Sequence, residues 1–450
     1  MSAAAQRQVE VAVVADDLSG AADCAVTFSR FGLAATIRLR PGAAGDGHGT
    51  GRPDPAPVLV LATDSRDQSP SEAEAAVARA VSVLAAYRPR LWFKKIDSTL
   101  RGHLARELAA TMGGNGGALA VVASAFPAHG RTVVGGQGFL HGTPLERTGI
   151  WRSCGPGRTA DIPALLRAGG LRVRAVGLAD VRSGHLIRSL QDAADAGARH
   201  AAPGRPMTAV VCDAETDDDL AAIAGAGLAS GLDLTWAGSA GLSHHLAAAL
   251  APQAGRSGRE HAVPPVNGPV AVVVGSFAGA AAAQLRHLET RPGVRVVRVP
   301  AAAAISGAAG ELAAADREIA TALGRGQDVA VGFAGAGPGA NAAFADARAS
   351  RAASRVLGLL VGRHSGEIGG FVLTGGDTAL AVLEACGVTT LHPAGEVAPG
   401  VPVSVSCPGR RPAVTKAGAF GDDRILARAI DFLHQAHPYS ERNNIPHARS

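Results

Sequence analysis

The stretch Val9–Phe31, VEVAVVADDLSGAADCAVTFSRF, decides the fold. Val9–Ala15 is apolar and rich in valine, which predicts a buried strand. Asp16, Asp17, Ser19 and Gly20 mark a tight turn, and Ala21–Phe31 continues as an alanine-rich helix. A strand that runs straight into a helix in this way is half of a βαβ unit. The pattern recurs outward. Strands are predicted at Val58–Thr63, Leu91–Ile96, Leu119–Ala123, Leu171–Val176, Thr208–Cys212 and Leu232–Trp236. Helices are predicted at Ser71–Ala86, Arg101–Met112, Val181–Ala196 and Asp217–Leu228. Periodicity stops over Ala251–Pro269, where Pro, Gly and charge take over, and then restarts. Strands follow at Val270–Val274, Val294–Val299, Val329–Phe333 and Phe371–Thr374, with helices from Ala278, near Gly310–Leu323 and from Asn341. The expected fold class is α/β, with two domains, each a mostly parallel sheet flanked by helices, and an active site in the cleft between them. The domains are expected at 1–255 and 269–435, joined by a linker at 256–268 and followed by a polar tail at 436–450.

Composition narrows the function. Aromatic residues make up only 4% of the 450, too few for stacking platforms along a nucleic acid. The net charge of +5 is spread along the chain without a block of like charge, so no nucleic-acid or membrane surface is expected. The five cysteines are far apart, with no CxxC or Cys/His cluster, which argues against disulfides and zinc. No charged, cleavable leader and no long apolar run is apparent, so a soluble, cytoplasmic protein is expected.

Ligands of open parallel sheets bind beyond the carboxyl ends of the strands. The first strand ends at Asp16 and Asp17; a cap and a turn need one such carboxylate, and the second is free to orient or deprotonate a hydroxyl. The next ends at Asp64, Ser65 and Arg66. The third runs into KKIDSTLRG, residues 94–102. Of 43 basic residues only Lys94, Lys95 and Lys416 are lysine, and a lysine is not interchangeable with an arginine where a compact charge is needed. Alternation sends Lys94 and Lys95 to opposite faces; with Lys95 in the crevice, Lys94 serves structure or solubility. The glycine-rich stretch SAFPAHGRTVVGGQGFLHG, with His129 and Arg131, is a lid or substrate loop. In the second half, Gly275 and Ser276, and then Thr374 to Thr378, place glycines where a strand enters a helix, which lets a phosphate approach backbone N–H groups. Lys416 stands beside Gly418 and Gly421. No GxxxxGK[ST] pattern occurs. GAGPGA at Gly335–Ala340 resembles a dinucleotide turn but has no acidic residue suitably placed after it.

Seven segments, DDLSGAAD, KKIDSTLRG, AFPAHGRTVVGG, WAGSAGL, VVVGSFAGAAAAQL, TGGDTA and TKAGAFG, occur in the order seen in the four-carbon acid sugar kinases, and the resemblance spans about Val9 to Ala429. It implies an N-terminal sugar-acid domain, a C-terminal nucleotide domain, and ATP- and Mg²⁺-dependent phosphorylation of the terminal hydroxyl of a threonate- or erythronate-type acid. It implies that Asp17, Arg66 and Lys95, Ile96, Asp97 and Ser98 hold the acid, and that Ser276, Gly375, Gly376, Asp377, Thr378 and Gly421 hold ATP. Lys416 is assigned to the nucleotide side, and Asp17 and Asp97 are the candidate bases, unranked; no metal ligand is assigned. His103 stands where the family usually has Asn, and WRSCGPGRTADIP lacks a common Asp-Pro; both bear on the substrate. The alternatives are a nicotinamide-dependent dehydrogenase of a small hydroxy acid, using GAGPGA, and a non-catalytic sugar-acid-binding protein. A homo-oligomer is compatible with the sequence.

Overall fold

The computed structural model describes residues 9–40, 56–149, 151, 159–198, 207–254, 262–276, 279–334, 347–418 and 420–435. The architecture is α/β, and both halves are built on parallel strands. In the N-terminal half the strands lie in the order Ala35–Arg38, Val58–Ala62, Val11–Ala15, Leu91–Lys95, Thr235–Gly238, Leu119–Ala123, Thr208–Cys212 and Arg172–Val176, all parallel. In the C-terminal half the parallel set is Val294–Pro300, Asp328–Ala334, Val270–Val274, Gly370–Thr374 and Pro412–Lys416. The strands buried on both faces read as unbroken Val/Leu/Ala runs, as parallel sheets demand.

The halves are not separate sheets. Antiparallel strands Thr390–Ala398 and Val401–Cys407 continue the C-terminal set, and Thr390 and Leu391 pair with Arg38 and Ile37. The result is one 15-stranded sheet. Strand direction reverses across this seam, so in a flat sheet the two sets of carboxyl ends would lie on opposite edges. Six strand steps separate Gly370–Thr374 from Val11–Ala15, and at roughly 20–25° of twist per step the direction turns well past a right angle. The two sets of carboxyl ends thereby meet.

Several boundaries differ from the sequence expectation for local reasons. The first helix starts at Leu18, because the Asp17 side chain caps it by accepting from the Gly20 N–H at 2.8 Å. The helix expected from Arg101 starts at Leu104, because Leu100 (φ +59°) and Gly102 (φ +87°) hold the chain in left-handed turns before it. Val181–Ala196 is two helices, Leu178–Arg182 and Leu186–Ala198, broken near Gly184 at φ +77°. Ala251–Ala254 completes the helix Ala240–Ala254 instead of opening a linker. The strand at Ala35–Arg38, the antiparallel pair at the seam and the helix Ile425–Gln435 were not predicted. The glycine-rich loop contains a small sheet of Arg131–Val134, Gln137–Leu140 and Thr143–Pro144. Gly335–Ala340, linker residues 256–261, the start of the helix from Asn341 and the polar tail lie outside the described residues.

Candidate active site

The first two strand ends lock together through one guanidinium. Arg66 donates from Nε and Nη2 to Asp16 at 2.8 and 2.9 Å, and from Nη1 and Nη2 to Asp17 at 2.8 and 2.9 Å. Burial works against the Asp16 charge, but Arg66, with Lys94, holds its carboxyl below the usual range. Asp64 and Ser65, expected on the same rim, turn elsewhere. Ser65 donates to Glu107 at 2.7 Å beneath the sheet. Asp64 hydrogen-bonds Asp377 from the other half of the chain.

The third strand end separates its two lysines. Lys94 is fully buried, donates to the Lys95 carbonyl at 2.9 Å and pairs with the buried Glu107 at 2.7 Å. Its role is in the interior, not at the surface. Lys95 faces the crevice, and its ammonium spends one hydrogen on the Ile96 carbonyl at 2.9 Å. Ile96 itself points into the core and offers a ligand no side chain. Asp97 accepts from Thr99 Oγ1 at 2.6 Å and from Arg101 Nε at 2.5 Å. Burial opposes its charge, yet Arg101 and Arg66 hold the carboxyl well below the usual range, leaving a poor base. Leu100, buried at 2%, stores backbone strain of about 1–3 kcal/mol in its left-handed conformation. That strain sits in the turn that aims Asp97, Ser98 and Arg101.

Two crevices adjoin. The first is lined by Asp17, Asp23, Lys95, Asp97, Ser98 and Arg131 of the N-terminal half, and by Thr415, Lys416 and Phe420 of the C-terminal half, among others. The second is lined by Ser276, Ser350, Ser354 and Gly375–Thr378, with Asp67 opposite. Asp17, Ser19, Arg66, Arg101 and Ala417 line both. At the junction the second half presses on the first: a Cβ on Gly376 would stand 2.8 Å from Asp17 Oδ2. Only glycine permits that approach.

The structure thus gathers Asp17, Arg66, Lys95, Asp97 and Ser98 at one crevice and Ser276 and Gly375–Thr378 at the other. Two sequence-derived residues fall differently. Lys416 lines the first crevice and not the second, because its strand ends at the seam between them. Its amine is buried, touches among the described residues only the Gly418 carbonyl at 3.5 Å, and is pushed down to about 7 by that burial. Gly421 lines neither crevice; its carbonyl accepts from Gln284 at 3.2 Å. Sequence reasoning missed Asp23, Arg101 and Thr415. Asp23 ends the quoted DDLSGAAD and Arg101 stands in KKIDSTLRG, so both were visible, but neither follows a strand directly. Among the described residues no group of three or more His, Cys, Asp and Glu side chains is set to hold a metal, and no helix is long and apolar enough to cross a membrane.

Across the back of the junction, burial and the neighbouring Asp377 charge push the Asp64 carboxyl up to about 8, and burial raises Asp377 as well. The two carboxyls share one proton across their hydrogen bond. Asp64 adopts φ +51°, which an aspartate tolerates better than most residues.

Comparison with known proteins agrees with this division. Residues 11–246 match the family profile described as a sugar-binding N-terminal domain, and residues 271–426 one described as a nucleotide-binding C-terminal domain. The chain is 39% identical over 435 residues to a D-threonate kinase of Cupriavidus necator, covering 93% of this chain and 96% of that protein. It is 30% identical to a D-erythronate kinase of Heliobacterium modesticaldum, covering 79% and 82%. A solved structure from Salmonella typhimurium LT2 superposes with a TM-score of 0.75 at 22% identity, over 94% of this chain and 98% of that one, which supports the fold alone. From the two profiles and these relatives together, the chain belongs to the four-carbon acid sugar kinase family.

Proposed function

We propose that this chain transfers the γ-phosphoryl group of ATP to the terminal hydroxyl of a four-carbon sugar acid of the D-threonate type. The observation that carries this reading is the position of Asp17, the carboxylate shared by both crevices and pressed by the phosphate-type turn at Gly376. A terminal hydroxyl beside Asp17 would face a γ-phosphate held by the Gly375–Thr378 turn. Asp17 accepts the hydroxyl proton, the acceptor oxygen forms the new P–O bond, and the bond to the bridging oxygen breaks to release ADP. Phosphoryl transfer asks little more than alignment and neutralised charge. A phosphate at the junction would hold the Lys416 amine protonated, so that it supplies positive charge there, and Lys95 and Arg131 bind the carboxylate end. D-threonate is favoured over its isomers by the 39% identity to a D-threonate kinase.

Mg²⁺ belongs to this reading with the nucleotide. Magnesium is commonly held by one or two carboxylates plus substrate phosphates, and Asp67 and Asp377 in the second crevice fit that donor set. When bound, it neutralises charge on the phosphates. Domain limits near 255 and 269, with the linker between them, fit the same reading.

The test is ADP release, with product identified by phosphorus NMR, across both enantiomers of threonate and erythronate and 3-oxo-tetronate. Phosphorylation of D-threonate with the highest kcat/KM is expected. ATP hydrolysis that no acid stimulates would sink the reading.

A further inference from the structure

The first crevice contains three carboxylates, and two of them are already engaged. Asp17 is committed to Arg66 and to the Gly20 N–H, and Asp97 to Arg101 and Thr99. Asp23 is different. It follows Ser19 by one helical turn, on the side of the helix Leu18–Arg30 that lines the crevice. Among the described residues its carboxylate accepts no hydrogen bond. Lys95, Glu396, Asp17 and Arg131 are the charges around it. Three further polar atoms along the same crevice are buried without partners among the described residues: Thr415 Oγ1, on a residue 1% exposed, Ser19 Oγ and Arg131 Nε. Buried polar atoms left unpaired in this way are sites where a ligand completes the bonding.

We infer that Asp23 is a specificity-determining residue that reads the secondary hydroxyls of the acid. The inference rests on the acceptor class proposed above. A sugar acid brings hydroxyl donors, each needing an acceptor in a crevice whose other two carboxylates are already engaged. Asp23 is six residues from Asp17, about 9 Å along the helix axis. A four-carbon acid extends about 6 Å from carboxylate to terminal oxygen. With the terminal oxygen at Asp17 and the carboxylate drawn to Lys95 and Arg131, a middle hydroxyl comes within reach of the Asp23 side chain. Burial pushes Asp23 up to about 6, so at neutral pH it remains an acceptor, able to take a hydroxyl proton bond and to repel a misplaced carboxylate. A 3-oxo acid has no donor at its third carbon, so the same residue would discriminate against it if that hydroxyl is the one read.

The experiment crosses enzyme variants with substrate analogues. Wild type, Asp23→Asn and Asp23→Ala are assayed with D-threonate, 2-deoxy (3,4-dihydroxybutanoate) and 3-deoxy (2,4-dihydroxybutanoate) acids, which keep the carboxylate and the terminal hydroxyl. On D-threonate, Asp23→Ala is expected to lower kcat/KM by about tenfold or more with KM for ATP unchanged. On one of the two deoxy acids that penalty should vanish, because the hydroxyl it read is already gone. Equal penalties on all three acids would overturn the inference and reduce Asp23 to a structural residue. Asp23→Asn, nearly the same shape, guards against misfolding: an unchanged melting temperature with relaxed discrimination between threonate and 3-oxo-tetronate supports the reading. Wild-type turnover in the same matrix stands apart. If it phosphorylates none of the acids, the acceptor class fails, whatever the variants do.

Discussion

Asp17 holds three commitments at once: it caps a helix, clamps Arg66 and abuts Gly376. These make different substitutions separable. Asp17→Asn keeps the shape and the cap but removes the charge, and should cost about 10²–10⁴ in kcat if the residue is the base. Asp97→Asn should instead mainly raise KM for the acid, because Arg101 and Thr99 already occupy that carboxylate. A kcat loss confined to Asp97→Asn would reverse the assignment. Gly376→Ala brings a methyl against Asp17 Oδ2, so it should lower kcat as well as raise KM for ATP. An effect on ATP KM alone would separate that turn from the base. The lysines divide likewise. Lys94→Met leaves Glu107 buried without its partner and should destabilise the fold by about 3–5 kcal/mol, read as a lowered melting temperature. Lys94→Arg has no room for a guanidinium at a fully buried site and should also destabilise. Lys95→Met should leave stability nearly intact and weaken acid binding. The opposite orientations of these two lysines were legible from strand alternation alone. The partner of Lys94 was not, because Glu107 lies on the following helix and only packing brings them together.

The elements that meet at the junction include a pH-sensitive contact. Asp64 lies two residues beyond the strand Val58–Ala62 and Asp377 stands in the first turn of the helix Gly376–Ala385, so their shared proton ties the two halves. Asp64 has a folded value of about 8 against an ordinary 3.8, so the folded state binds this proton more tightly. Its contribution to stability is therefore full below about pH 4 and is lost as pH rises through 8. Asp64→Asn keeps the hydrogen bond without needing the proton, so its melting temperature relative to wild type should climb between pH 5 and pH 9. A constant difference would show that the pair does not titrate in that range. This contact was not legible beforehand, because a strand-end aspartate reads the same whether it faces substrate or another domain. The antiparallel strands at the seam were hidden for another reason. Pro393 and Pro402 punctuate them, and proline ordinarily argues against a strand. The parallel strands, by contrast, were legible almost throughout, since residues buried on both faces leave uninterrupted apolar runs.

The two halves share their main apolar core, while smaller apolar clusters lie in each half. A single apolar cluster runs from Val11 and Phe28 in the first half to Phe371, Leu391 and Ala413 in the second. Calorimetry should therefore show one cooperative unfolding transition, raised in midpoint by MgATP and acid together. Two resolved transitions would mean that the halves melt independently. The seam has a further consequence during synthesis. Ile37 pairs with Val60 early, but its other edge finds Leu391 only when that residue has been made, hundreds of residues later. At about 5–20 residues per second the ribosome needs roughly 20–70 s to bridge that gap. For that interval the strand Ala35–Arg38 is an open edge able to recruit any other nascent β-strand. The yield of folded protein from a cell should then depend on how fast the second half is translated, and slowing its codons should send more of the chain into aggregates.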